Sequence, residues 1–284
     1  MPFADQDLAR RVEDAWAYLG VENARAQARL DPHSDADSLP VGGGYAVFMG
    51  AGSPLSQAQG MGLYGPVAEG DLERMEAFYR KRGAPVHLEL ASLADATLLE
   101  LLGRRGYRAV HQTHVLVRPI GAREPSAVVR ADRDRDRGRQ AEDLAMNVEV
   151  APVGTGEVAT WAESVLRCFF EDPAERPRAL LEGAIAMGSI PAVSCWLARV
   201  GGRIAGGGAM VIHNRLALIC GDGTLPEFRS QGVQAALLRA RLDRARRVGC
   251  DLAVICTQPG SSSQRNAERQ GFQVVYARTL MGRE

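Results

Sequence analysis

Apolar positions recur at helical spacing in several stretches of the chain. Leu8, Val12, Ala15, Trp16 and Leu19 fall on one side of a helix spanning residues 5–30. Trp161, Val165, Leu166 and Phe169 predict a helix over 157–170, and a second helix follows at 177–187 with Pro177 near its first turn. Val233, Leu237, Leu238, Leu242, Ala245 and Val248 give a long helix over 231–248 its buried side. Short β-rich runs at 146–152, 192–200, 203–212 and 215–220 read as strands. Gly201-Gly202 is a two-residue hairpin turn, because tight primed turns demand positive φ, and His213-Asn214 makes a second short turn. A strand at 252–256, a short helix at 261–270 and a last strand at 274–281 complete an α+β pattern, a hairpin meander leading into a β-α-β unit.

The same order of elements occurs twice. Residues 83–90 resemble residues 249–256, each a glycine and a short strand after a charged helical stretch, 166 positions apart. Gly106-Tyr107 resembles Gly271-Phe272 at a spacing of 165, and strand-like runs follow both, at 110–117 and 274–281. Two related halves explain a shared order and a shared spacing together. Between them, residues 121–145, with Arg and Asp alternating from Arg130 to Arg139, offer little to bury, which reads as a solvated connector. The expected division is therefore 1–120, a charged linker at 121–145, and 146–284.

Composition narrows the function classes. The 284 residues carry 34 Lys+Arg and 34 Asp+Glu, a formal net charge of zero, so a dedicated nucleic-acid binder is not expected. No apolar run approaches the ~20 residues that span a bilayer, and residues 1–16 lack the basic start and apolar core of a secretion signal. Five cysteines with no CxxC spacing read as small buried hydrophobes of a reduced, cytoplasmic protein, and scattered histidines give no metal pattern.

The segment that carries chemistry runs from Thr224 to Leu238. A strand ends, the chain turns, and a helix begins at a glycine; helix N-termini present unpaired N–H groups that suit a pyrophosphate. Ser230 reads as the N-cap and Gly232 lets backbone approach a ligand. The residues Arg229-Ser230-Gln231-Gly232-Val233-Gln234 resemble the acetyl-CoA-binding motif of the GNAT superfamily of N-acetyltransferases, Arg/Gln-x-x-Gly-x-Gly/Ala at the start of a helix. The later strand, helix and Gly271-Phe272 resemble that family's next landmark, so the resemblance spans roughly 146–284.

The resemblance implies a fold of two tandem GNAT-like domains, each a mixed, mostly antiparallel sheet flanked by helices. It implies acetyl-CoA as co-substrate, no metal, and an amine acceptor, small molecule or protein, that attacks the acetyl carbonyl directly. The backbone of Gln231, Gly232, Val233, Gln234 and Ala235 would cradle the pyrophosphate with Arg229 beside it, and Thr224 and Leu225 would pair with the pantetheine arm. Two positions depart from the pattern: Gln234 stands where Gly or Ala is usual, and Ala267 stands where the family often carries the tyrosine that protonates the leaving thiolate. Tyr276 is the nearest tyrosine in sequence, either that acid or a packing residue. Asp222 is either the acceptor of the amine proton or a turn aspartate between Gly221 and Gly223, and Asn266 could bond the pantetheine or merely face out of its helix. The alternative function is an acyl-CoA sensor without turnover. Acceptor identity, donors other than acetyl, and oligomeric state stay open.

In the first half, the position 166 before Gly232 is Pro66, which has no N–H to offer, and Glu69, Asp71 and Glu73 follow in the first turn. That half reads as a degenerate copy without a cofactor site. Gly42 to Gly44 do not form a nucleotide loop, because Pro54 follows and no helical period begins there; turns flanking a strand explain them.

Overall fold

The structure, a computed structural model, describes residues 5–121 and 148–283. The linker at 121–145 and the start of the strand at 146 lie, from residue 122 on, outside the described residues. The chain divides into two compact units. The first draws on Met1–Val117, Pro177–Ile190 and Val254–Glu284, the second on Arg118–Arg176 and Pro191–Ala253.

The first unit opens with α1 (Gln6–Leu30), whose N-cap Asp5 accepts from Leu8 N–H. Then come β1 (Asp37–Val41), β2 (Gly44–Phe48), β3 (Gln57–Gln59), α2 (Glu69–Arg80), β4 (Val86–Ala91), α3 (Ala96–Arg104) and β5 (Arg108–Pro119). Gly42 and Gly43 make the β1–β2 turn at φ of 58° and 81°, so the glycine run flanks a strand as expected. The main core of this unit packs α2 and α3 on the sheet through residues such as Leu72, Met75, Leu88, Leu98 and Leu102. Tyr79 is fully buried there, and its hydroxyl accepts from Val47 N–H and donates to Val47 C=O, both at 3.1 Å. Tyr79→Phe strands two buried backbone groups and should lower stability by roughly 1–3 kcal/mol, read as an earlier urea midpoint with unchanged far-UV dichroism.

The second unit is an antiparallel meander of β6 (Val148–Pro152), β7 (Val193–Val200), β8 (Arg203–His213) and β9 (Leu216–Thr224). Gly201 and Gly202, at φ of 55° and 76°, turn β7 into β8, whereas the next turn is centred on Asn214 and Arg215, one residue later than the sequence suggested. Helix α4 (Val158–Arg167) buries Trp161, Val165 and Leu166 but ends before Phe169, which is exposed. Helix α5 (Arg178–Gly188) belongs to the first unit, where Gly183 admits Leu55; a Cβ there would stand 2.8 Å from its Cδ1. Helix α6 (Val233–Arg247) lies on the meander.

The closing elements are β10 (Leu252–Thr257), α7 (Ser262–Arg269) and β11 (Gln273–Arg283). Strands β4 and β10 start 166 residues apart, as do α3 and α7, and Gly106 and Gly271 both take positive φ before the strands that follow them. The duplicated order is thus present element by element. Its pairing is not confined to each half: β11 lies antiparallel between β4 and β5, through Leu280↔Glu89 on one side and Leu280↔His111 on the other. The compact units therefore cut across the 1–120 and 146–284 division. Both edges of β11 are satisfied by first-half strands. No helix of the described residues is long and apolar enough to cross a membrane.

Candidate active site

The end of β9 is built around three consecutive glycines on β8 and a buried arginine. Gly207 pairs with Gly223 and Ala209 with Cys220, so Gly221 and Asp222 together oppose Gly208. This is a bulge with Gly221 in the left-handed region, φ 61°. Asp222 is consequently a strand residue in a bulge rather than a turn residue. Its carboxylate accepts from Arg241 Nη2. Arg241, on α6, is fully buried; Nη1 donates to Ala209 C=O at 3.0 Å and Nε to Leu237 C=O at 3.0 Å. Gly208 makes room for this guanidinium, since a Cβ there would sit 2.6 Å from Nη1. Arg241 escaped the sequence reading, which gave the buried side to Leu242 and Val248. Leu242 is only half-buried and Val248 is 40% exposed. The signal was its position four residues after Leu237 and four before Ala245, inside the apolar stripe.

From β9 the chain passes through Leu225, a 3-10 turn at Pro226–Phe228, and Arg229. Leu225 is 2% exposed, its N–H donates to Ala205 C=O and its C=O accepts from Phe228 N–H. Its backbone is thus engaged inside the unit and its side chain packs with Phe228, Val233 and Leu237, which places it in the wall of the site. Thr224 and Arg229 are more open, and Arg229 Nη2 donates to Cys168 C=O at 3.4 Å. Ser230 at φ 63° and Gly232 at φ 80° bracket Gln231. Alternation of left-handed and ordinary backbone converges successive N–H groups into an anion-binding concavity. Gly232, not Ser230, is the N-cap, and α6 starts at Val233 because the left-handed residue before it cannot continue a helix. Gly232 has no side chain with which to cap, so the first-turn N–H groups of 233–235 face the loop without a cap from that position.

The acetyltransferase (GNAT) family model matches residues 158–272. This stretch, less than half of the chain, is similar to the GNAT family. Among solved structures, a GCN5-related N-acetyltransferase from Kribbella flavida is 18% identical, with 94% of each chain covered and a TM-score of 0.62. A tandem GNAT protein from the clavulanic acid biosynthesis pathway is 13% identical, covering 100% of this chain and 97% of that one, at a TM-score of 0.60. A GCN5-related N-acetyltransferase from Sphaerobacter thermophilus is 16% identical over 88% of this chain and 76% of that one, at a TM-score of 0.56. At these identities the likeness is one of fold. No curated protein matches the chain.

The remaining sequence candidates lie in the first compact unit. Asn266 sits on α7, half-buried, with its Oδ1 accepting from Arg269 Nη1 at 3.2 Å. Ala267, at the usual tyrosine position, is 2% exposed and packs inward. Tyr276 on β11 is 5% exposed and its hydroxyl donates to Glu13 Oε1 at 2.5 Å; burial and the neighbouring carboxylate push its ionisation far up. Among the described residues no cluster of His, Cys, Asp and Glu fits a metal. The cysteines there form no disulfide, and burial pushes Cys168 up to about 11 and Cys195 up to about 12.

The first-half counterpart of the loop has a different character. A cavity of about 510 Å³ lies between the β1–β2 turn and the start of α2, lined by Gly43, Tyr64, Pro66, Asp71 and Arg74 among others. Pro66 brings no N–H, and Glu69 and Glu73 at the helix start pair with Arg105 at 2.9 and 3.1 Å. This helix start already holds its own anions.

Proposed function

We propose that the chain is an acetyl-CoA-dependent N-acetyltransferase whose donor site is the loop from Thr224 into α6. The observation that carries this reading is the pair of left-handed residues, Ser230 and Gly232, entering a helix whose N-cap, Gly232, offers no side-chain cap, directly after the bulged strand of the stretch that matches the GNAT family model. Backbone N–H groups of Gln231 to Ala235, with Arg229 beside them, hold the pyrophosphate in this reading, and Thr224 meets the pantetheine arm. An amine then adds to the thioester carbonyl, the carbon–sulfur bond breaks, and the products are an acetamide and CoA thiol. Asp222, held in place by Arg241, takes the amine proton directly or through a water. The proton that Tyr276 would supply to the thiolate is already directed at Glu13, so water is the proton source we assign. We further propose that residues 146–284 are the catalytic domain and 1–120 a copy without a donor site, and that the protein works in the cytoplasm on a small-molecule or protein amine.

The second reading, an acyl-CoA sensor without turnover, is favoured by Ala267 alone. Calorimetric titration with acetyl-CoA followed by a CoA-thiol release assay across an amine panel decides between them. The transferase reading expects saturable binding and amine-dependent thiol release. Binding with release no faster than hydrolysis supports the sensor, and absence of binding overturns both.

A further inference from the structure

One face of the first unit's sheet, together with α1, encloses charges that the α6 loop does not use. Glu13 of α1 is 0% exposed, and its Oε1 accepts from Tyr276 Oη at 2.5 Å and from Arg278 Nε at 2.7 Å. Arg278 is paired in register with Ala91, so Glu89, two residues back along β4, shares its face and lies within diagonal reach. Glu89 and Arg278 are 8% and 4% exposed, and the Trp16 ring lies 5.0 Å from the guanidinium carbon.

This cluster is incomplete. Glu13 Oε2, Glu89 Oε2 and Arg278 Nη2 are all buried, and none has a hydrogen-bond partner among the described residues. Buried polar groups are paired as a rule, and each exception calls for a ligand or a trapped water. The charges are also unequal, two carboxylates to one guanidinium. Two free acceptors and one free donor around an excess negative charge define a complementary ligand: a monocation that donates at one end and accepts beside it. On β4, His87, two residues beyond Glu89, is half-buried.

We propose that Glu13, Glu89 and Arg278 form a binding site for a small cationic amine bearing a neighbouring oxygen, an amino alcohol or amino sugar. The ammonium donates to Glu13 Oε2 and Glu89 Oε2, and the oxygen accepts from Arg278 Nη2. Burial holds the Glu89 carboxyl above its usual range, and an ammonium beside it favours the ionised form. The site lies wholly in the first unit and excludes the α6 loop, so it stands or falls independently of the acetyl-transfer reading.

The test needs no acetyl donor. 2-Aminoethanol and glucosamine are titrated into the full chain by calorimetry and thermal shift, with ethylene glycol and glucose as amine-free probes. The expected result is saturable binding and a raised melting midpoint for the amines alone. Glu89→Gln, which keeps shape and removes charge, should weaken amine binding by roughly tenfold or more. Glu89→Leu should raise the midpoint of the unliganded protein, because a buried carboxylate kept for a ligand costs stability, and should abolish the amine effect. No amine binding at tens of millimolar overturns the proposal. So does amine binding that survives in both Glu89→Gln and Glu13→Gln; in either case the cluster is a hydrated polar core only.

Discussion

Gly232→Pro should abolish acetyl-CoA binding while leaving the protein folded. Gly232 sits at φ 80°, and proline is confined to about −65°. The substitution therefore redirects the backbone where the loop enters α6 and removes an N–H at the same stroke. If successive N–H groups of the loop hold the pyrophosphate, affinity should fall by at least ~100-fold, or about 2.7 kcal/mol. Gly232→Ala separates the two causes. It keeps the N–H but places a Cβ in the left-handed region, at a cost of roughly 1–2 kcal/mol, so a loss of about tenfold is expected. Pro66→Gly is the matching first-half change. It restores an N–H at a helix start already occupied by Glu69, Asp71 and Glu73, and donor affinity should not change. Calorimetric titration measures all three. Wild-type affinity in Gly232→Pro would show that the donor site lies elsewhere.

The strand, loop and helix start at Gly232 were legible in the sequence because their determinants are local. A glycine, a preceding strand and a following helix sit within fifteen residues, and backbone conformation there depends on residue type. The duplicated order was legible for a similar reason, since Gly106 and Gly271 mark equivalent turns whatever they pack against. What the sequence concealed depends on tertiary partners. Arg241 resembles the arginines around it, yet it lies beneath a strand that spares a side chain at Gly208. Glu13 sits among solvent-facing residues of α1 by composition and is fully buried by contact with β11, 265 positions away at Arg278. The partition of strands was hidden likewise: β11 reads as the last strand of the second half, and only its register shows that both its neighbours come from the first. Periodicity reports which face is buried, not which strand buries it.

Arg241→Leu should be among the most damaging single changes in the second unit. The guanidinium is fully buried and makes three hydrogen bonds, to Ala209 C=O, Leu237 C=O and Asp222. Removing it strands the Ala209 carbonyl and leaves the Asp222 carboxylate, 16% exposed, without its counter-charge. Breaking a buried pair from one side costs roughly 3–5 kcal/mol, far more than deleting an exposed pair. The expected readout is a large drop in urea midpoint, with lost binding to the α6 loop because the bulge at Gly221 and Asp222 loses its anchor. Arg241→Met combined with Asp222→Leu removes both charges and should regain much of the stability, since the desolvation penalty disappears with the pair. It should not regain turnover, because Asp222 is the assigned proton acceptor. Stability and thioester cleavage thus part company in the double variant, whereas a purely structural Asp222 would let both recover together. Gly208→Ala approaches the same contact from the strand side. Its Cβ would crowd Arg241 Nη1 at 2.6 Å, and because the arginine is fixed by three bonds it cannot swing aside. That variant should shift the midpoint in the same direction as Arg241→Leu, and combining the two should cost less than the sum, because once the guanidinium is gone the new methyl has room.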